Sequence, residues 1–304
     1  CDGNGVPHAD VVIEAIFENI EAKQAIYKDI EPRMKEGAIL ATNTSSIPLE
    51  TLSEVLSDAS RLVGLHFFNP VAMMPLVEVV IKADTPDDVI KKALSFCSHI
   101  GKIPLTVNDS PGFLVNRILV PYLIEAVTLH EEGIAAEAID KAAIDFGMPM
   151  GPVELADTVG LDICLSVAKN LAELCDFNVP QVLLNMVDAK NLGKKTGSGF
   201  YHYKKGKAVK DRDVDMANQS EIQNRLIYRL LNESARCLRE GIVDDRDLLD
   251  AGVIFGTGFA PFRGGPLNYS KETGIDLIHQ NMKIYQQRFG DRFQPDEAWL
   301  TLLN

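Results

Sequence analysis

From Ala9 to Val107 short apolar, β-branched runs alternate with helical patterns, and after Pro111 the strand pattern stops. This switch constrains the fold more than any other feature of the chain. Ala9 to Ile16 (A-D-V-V-I-E-A-I) reads as a buried parallel strand. Asn19 to Met34 then places Ile20, Ala22, Ile26, Tyr27 and Ile30 at mostly helical spacing, and Ala38 to Thr42 is a second compact run. Arg61 to Phe67, Leu76 to Ile81 and Ile103 to Val107 continue the strands. Thr85-Pro86-Asp87-Asp88 predicts a helix start with Thr85 as N-cap and Pro86 in the first turn. Strands alternating with helices imply a doubly wound α/β sheet, whose ligands lie at the carboxyl ends of the strands. Thr42 to Ser46 and His66 to Pro70 fall at such ends.

The remainder reads as all-α. Phe113 to Glu132 is a helical period that stops at Gly133, a residue suited to the positive φ of a helix C-terminus, and further helices run through Leu183. Lys194 to Lys210, rich in Lys and Gly around K-K-T-G-S-G-F-Y, reads as a connector. Asn116-Arg117 with Glu125, Gly133-Ile134, Phe146-Gly147 and Gly151-Pro152 recur as Asn224-Arg225 with Glu233, Gly241-Ile242, Phe255-Gly256 and Ala260-Pro261. The offset of 108 to 109 residues implies a duplicated helical unit. The expected division is therefore 1–109, 110–205 and 206–304. The second copy lacks the S-P-G-F lead-in and any strand-borne His or Glu, so the first is expected to contribute to a site and the second to pack against it.

A formal charge of −13 disfavours a nucleic-acid backbone or an anionic membrane as partner. No apolar run reaches the roughly 20 residues of a bilayer span, so no membrane insertion is expected. The 5 cysteines form neither a C-x-x-C pair nor a zinc pattern with His, which predicts no metal site and a reduced, cytoplasmic setting.

Chemistry is concentrated in a few residues. Glu78 interrupts the run L-V-E-V-V-I, where a buried carboxylate needs a partner, and His66 ends the preceding strand. The separation of 12 residues permits a return that pairs them. Such a pair fixes the ring tautomer and stabilises its charged form, as a general base requires. Ser45 lies in a turn of small polar residues at a strand end, a site for donating to a substrate oxygen as well as an ordinary turn position. Asn116 is expected one turn inside a helix, where Asn is a poor choice unless its amide has a task, though its recurrence as Asn224 argues equally for a structural role.

The motifs V-I-E-A-I-F-E-N, N-T-S-S, G-L-H-F-F-N-P, M-P-L-V-E-V, P-G-F-L-V-N-R and K-T-G-S-G-F-Y occur in the order and approximate spacing of the L-3-hydroxyacyl-CoA dehydrogenases. From about Ala9 to the C-terminus the chain resembles that family, specifically the dehydrogenase region of bacterial fatty-acid oxidation complex alpha subunits. The resemblance implies a Rossmann-type sheet followed by two tandem copies of the helical dehydrogenase domain, and NAD-dependent oxidation of L-3-hydroxyacyl-CoA to 3-oxoacyl-CoA. It implies His66 as general base, Glu78 as its orienting partner, and Ser45 and Asn116 as contacts to substrate oxygens and the nicotinamide. Ile16, Phe17, Glu18, Lys23, Asn69 and Lys195 match cofactor contacts, and Phe255 matches a substrate-side aromatic position that can be Tyr in the family. A thiolase beta subunit is the implied partner.

The family's opening strand and glycine-rich pyrophosphate turn have no counterpart in this sequence, which contains no G-x-G-x-x-G. The sheet is accordingly expected to be truncated, and the chain to be a piece of a longer protein with little activity alone. Two other readings compete: a catalytically silent scaffold that docks a thiolase, and a related hydroxy-acid dehydrogenase with a Lys base in its helical half. His66 with Glu78 argues against the last.

Overall fold

The computed structural model describes residues 3–45, 47–211 and 218–302. Cys1, Ser46 and residues 212–217, which fall in the expected third segment 206–304, lie outside the described residues. By its internal contacts the chain forms two compact units, residues 1–114 with 241–248, and residues 115–240 with 249–304.

The first unit is built on a five-stranded sheet in sequential order, β1 (Val11–Glu14), β2 (Ile39–Thr42), β3 (Leu62–Phe67), β4 (Leu76–Ile81) and β5 (Ile103–Asn108). All pairings are parallel except β3 with β4, which run antiparallel with His66 opposite Glu78. The sheet is thus mixed, because only eight residues, 68–75, separate these strands and no crossover helix fits there. Helices α1 (Ile20–Ile30), α2 (Leu49–Ser53) and α3 (Asp87–His99) complete this unit's sequence-local elements. Asn19 caps α1 by accepting the Ala22 N–H at 2.8 Å. Helix α3 lays Val89, Ala93 and Cys97, spaced one turn apart, on Ile39, Ala41, Val63, Leu65, Val77 and Val79. Its predicted cap is corrected: Pro86 occupies the N-cap position, and the Thr85 hydroxyl instead accepts the Lys82 N–H at 2.9 Å.

The second unit contains α4 (Val115–Glu131), α5 (Ala136–Phe146), α6 (Pro152–Val159), α7 (Leu161–Leu171) and α8 (Gln181–Asp188), then a hairpin of β6 (His202–Lys204) and β7 (Lys207–Val209). After it come α9 (Gln219–Arg239), α10 (Arg246–Thr257, whose start belongs to the first unit), α11 (Pro266–Thr273), α12 (Ile275–Phe289) and α13 (Ala298–Leu302). Helices α4 and α9, the long members of the two repeats, pack on each other. Their ion pairs are reciprocal. Arg117 bonds Glu233 at 2.8 Å and Glu240 at 2.5 Å, while Arg225 bonds Glu125 at 2.6 Å and Glu132 at 2.5 Å. Each arginine thus meets the other copy's glutamates, the self-complementary pattern of a two-fold contact made within one chain.

The same device starts one helix in each copy. Asp140 accepts the Val153 and Glu154 N–H groups at the head of α6, and Asp250 accepts those of Leu267 and Asn268 at the head of α11. A Cβ on Gly151 would lie 2.1 Å from Asp140, and one on Gly265 would lie 2.3 Å from Asp250, so both positions require glycine. This corrects the repeat at its end: Gly151-Pro152 corresponds to Gly265-Pro266, and Ala260-Pro261 instead opens a single 3-10 turn. The register drifts because the second copy carries extra residues between α10 and α11.

The connector expected at Lys194 to Lys210 is also corrected. It folds into a 3-10 turn and the β6–β7 hairpin. Asp157 holds it by accepting the Phe200 N–H at 3.0 Å, the Tyr201 N–H at 2.9 Å and the Tyr203 hydroxyl at 3.2 Å.

Candidate active site

His66 and Glu78 face each other across the β3–β4 ladder, 4% and 0% exposed. Their Nδ1 and Oε2 atoms are 2.7 Å apart. The other Glu78 oxygen accepts the Leu114 N–H at 3.0 Å. With both Glu78 oxygens acting as acceptors, Nδ1 must carry a proton, so neutral His66 keeps its lone pair on Nε2. Phe68 and Phe113 meet the imidazole edge-on, with centroids at 4.7 and 5.5 Å, and fix its plane. Phe113 adopts φ 51° directly after Gly112 at φ 75°, which turns its ring inward and presents the next N–H to Glu78. The pair therefore forms an oriented imidazole, able to accept a proton at Nε2, in an apolar setting.

The ends of β1 and β2 are joined by carboxylates. Glu18 accepts the Ser45 N–H at 2.5 Å and the Thr44 hydroxyl at 2.9 Å through one oxygen, and its other oxygen lies 3.5 Å from Lys23 Nζ. Asn43 accepts the Phe67 N–H at 3.1 Å, which ties the end of β2 to the end of β3 just past His66. Asp109, at the end of β5, accepts the Leu49 N–H at 2.8 Å and the Glu50 N–H at 3.3 Å and starts α2 after the Ser45 turn. Burial, partly countered by these backbone N–H groups, raises the Asp109 carboxyl above the ordinary aspartate range.

Among the matched cofactor positions, Phe17 is 73% exposed, Ile16 is half-buried, and Glu18 and Asn69 are exposed. Lys23 differs. It is 0% exposed and its ammonium lies 2.9 Å from Glu14, so in this arrangement it supports the lip of the site from behind rather than presenting a free charge. Ser45, His66, Glu78 and these positions all belong to the first unit. Asn116, Lys195 and Phe255 belong to the second. Asn116 is the second residue of α4, not a residue one turn inside, and a first-turn Asn carries none of the expected helix penalty. Lys195 pairs with Asp162 at 2.5 Å, and Phe255 on α10 is 40% exposed.

Sequence reasoning passed over Glu14. It sits at the end of β1 and receives the Ile16 N–H at 2.6 Å, the Lys23 ammonium, the Tyr27 hydroxyl at 2.8 Å and the Thr42 hydroxyl at 2.9 Å. The signal was available, since Glu14 interrupts V-V-I-E-A-I as Glu78 interrupts its own run. No cluster of three or more His, Cys, Asp or Glu side chains able to hold a metal occurs among the described residues.

Residues 3–110 match the profile of the 3-hydroxyacyl-CoA dehydrogenase NAD binding domain, and residues 112–203 and 222–304 both match that of the C-terminal domain. The chain belongs to the 3-hydroxyacyl-CoA dehydrogenase family. Family membership accounts for both halves of the fold and for the duplication, since one helical domain profile fits twice. The fatty acid oxidation complex subunit alpha of Shewanella baltica is 38% identical over 314 residues, covering 98% of this chain and 44% of that protein. The chain thus spans less than half the length of the curated relatives it matches. Among solved structures, 3-hydroxybutyryl-CoA dehydrogenase from Escherichia coli K12 superposes with a TM-score of 0.86 at 25% identity, covering 98% of this chain and 82% of that one. The (S)-3-hydroxybutyryl-CoA dehydrogenase of Ralstonia eutropha is 40% identical with a TM-score of 0.63, covering 66% of this chain and 72% of its own.

Proposed function

We propose that this protein oxidises an L-3-hydroxyacyl-CoA to the 3-oxoacyl-CoA with NAD, as the dehydrogenase part of a fatty-acid oxidation complex. The observation that carries the reading is the buried His66–Glu78 pair, with its free acceptor at Nε2 and both carboxylate oxygens occupied. His66 Nε2 takes the proton of the 3-hydroxyl as the C3–H bond is broken, and Glu78 holds the ring while the imidazolium exists. Bound NAD supplies the acceptor for the hydride that leaves C3. Phe17 offers an exposed apolar face of the kind that dinucleotide rings cover, and Glu18 holds the Ser45 turn beside it. On this reading Ile16, Phe17, Glu18 and Asn69 line the cofactor, with Lys23 behind them. Ser45 holds an oxygen atom, while the roles that the family resemblance implies for Asn116, Lys195 and Phe255 concern the second unit taken by itself.

The complex named for the relatives supports a second subunit as partner, and the reading assigns that role to a thiolase acting on the 3-oxoacyl product. No helix among the described residues is long and apolar enough to cross a membrane, and the four described cysteines are free thiols, which supports a cytoplasmic enzyme. A scaffold without catalysis would have no use for a buried imidazole held by a carboxylate.

The test is His66→Gln in the intact protein, assayed by NADH formation from a 3-hydroxyacyl-CoA. Loss of the base is expected to lower kcat by about 10²–10⁴ with the fold intact. Near-normal turnover in a folded variant removes His66 from the mechanism.

A further inference from the structure

Glu14 is a charged residue at the end of an otherwise apolar strand, 5% exposed, with no access to a ligand of its own. One of its oxygens accepts the Ile16 N–H at 2.6 Å and the Lys23 ammonium at 2.9 Å. The other accepts the Tyr27 and Thr42 hydroxyls at 2.8 and 2.9 Å and stands 3.2 Å from the same ammonium. Burial pushes its carboxyl up, but Lys23, the Ile16 amide, Tyr27 and Thr42 outweigh this and hold it below the usual glutamate range. It is therefore an ionised hub joining β1, α1 and β2.

The hub leads outward to the site. Lys23, itself wholly buried, stands between Glu14 at 2.9 Å and Glu18 at 3.5 Å. Glu18 divides its oxygens: one faces Lys23, and the other holds the Ser45 N–H and the Thr44 hydroxyl. Lys23 thus sets which way Glu18 turns, and Glu14 sets where Lys23 stands. If the charge on Glu14 is removed, Glu18 becomes the only carboxylate among the described residues paired with the buried Lys23 ammonium. The gap between them closes, and the Glu18 oxygen that holds the Ser45 turn is drawn inward.

We propose that Glu14 is a positioning residue for the cofactor side of this site, acting through Lys23 and Glu18 on the Thr44–Ser45 turn. The proposal rests on the dehydrogenase reading above. It differs from a merely structural role for Glu14, in which the hub would only tie three elements together. Tyr27→Phe and Thr42→Val separate the two roles, because each removes a bond to Glu14 but leaves the charge of Glu14, and with it the hold on Lys23, in place.

The experiment measures steady-state kinetics of the intact protein with NAD and a short 3-hydroxyacyl-CoA, together with amide hydrogen exchange at Ser45. In Glu14→Gln the KM for NAD is expected to rise about tenfold, the loss of one charge-assisted bond's contribution, while the KM for the acyl substrate changes less than about twofold. Ser45 exchange is expected to quicken by about tenfold or more. Tyr27→Phe and Thr42→Val are expected to leave both quantities near their original values. Glu14→Asp, still charged but shorter, is expected to give a smaller rise, and it serves as the measure if Glu14→Gln does not fold. An unchanged KM for NAD in Glu14→Gln, or the same rise in Tyr27→Phe and Thr42→Val, overturns the proposal. If the unaltered protein forms no NADH from any 3-hydroxyacyl-CoA, the dehydrogenase reading fails instead. Ser45 exchange then still decides the hub: acceleration in Glu14→Gln alone supports it, and none overturns it.

Discussion

Replacing Arg117 by Met tests whether the reciprocal ion pairs between α4 and α9 hold the helical unit together. Arg117 is 1% exposed, and its removal strands Glu233, 5% exposed, without its 2.8 Å partner, and deprives Glu240 of a 2.5 Å contact. Breaking a buried pair by deleting one member costs about 3–5 kcal/mol, chiefly for the uncompensated charge left behind. At a urea slope of about 2 kcal/mol per M this corresponds to a midpoint lower by about 1.5–2.5 M. The chain's single tryptophan, Trp299, is wholly buried in the same unit and donates to Asn232 on α9 at 2.8 Å, so its fluorescence follows this unit's unfolding directly.

Two further features make the prediction specific. Burial already raises the Glu233 carboxyl above the ordinary range despite Arg117. Without the arginine it rises further, so the folded value exceeds the unfolded one. A carboxylate shifted this way contributes its stability below the unfolded pKa and loses it as pH rises through the folded pKa. The Arg117→Met penalty must therefore be smaller near pH 5 than near pH 8. In addition, Glu233→Gln introduced with Arg117→Met removes the stranded charge and is expected to recover a large part of the loss. An Arg117→Met midpoint within about 0.3 M of the original, or a double variant no better than the single, refutes the argument.

Glu78→Gln keeps the shape of the pair but removes its charge, and it is expected to lower kcat far more than it raises the KM for acyl substrate; equal changes in both would make Glu78 a binding rather than an orienting residue. Burial, outweighing the bonds from Tyr201, Val153 and Glu154, pushes Asp140 up to about 6, above its unfolded value. The stability of the protein relative to Asp140→Asn is accordingly expected to fall as pH rises from about 4 to about 6 and to level off beyond, and a difference independent of pH refutes this. Burial also pushes the Cys97 thiol to about 11 and those of Cys164 and Cys175 to about 12. These three are expected to resist iodoacetamide at pH 8 in the folded protein and to react on unfolding, as read by mass spectrometry of the labelled peptides.

The sheet was legible because burial on both faces forces continuous apolar runs in β2, β3 and β4, and although β1 and β5 are only partly buried, each of the five runs between Ala9 and Val107 matches a strand to within two residues. What periodicity could not carry was direction. The eight residues between β3 and β4 decide that this pair is antiparallel, and loop length rather than strand composition holds that information. The Lys-rich stretch misled for a related reason. Its charge and glycines are those of a linker, yet the carboxylate that orders Phe200, Tyr201 and Tyr203 is Asp157, more than forty residues earlier. The repeat was legible through Arg117, Glu125, Arg225 and Glu233, whose pairing demands fixed spacing along two helices. It failed at Ala260-Pro261, where an added loop shifts the register and only the Asp250 cap identifies the true counterpart.

For the site, one rule did most of the work: a carboxylate inside an apolar strand must have a partner. Applied to Glu78 it led to His66, which the structure places 2.7 Å away. The same rule holds for Glu14, whose partners come from α1 and β2 and carry no motif that marks them. The two carboxylates are complementary in what they orient. Glu78 orients a ring that needs an open lone pair, holding Nδ1 on one carboxylate oxygen while the other accepts a backbone N–H. Glu14 fixes an ammonium that must itself direct a second carboxylate, and so it is surrounded by donors on both oxygens. A base that moves a proton needs one position left vacant, whereas a support needs none. What each carboxylate's neighbour leaves open, a lone pair on His66 and none on the Lys23 ammonium between Glu14 and Glu18, thus separates the residue expected to affect kcat from the one expected to affect the KM for NAD.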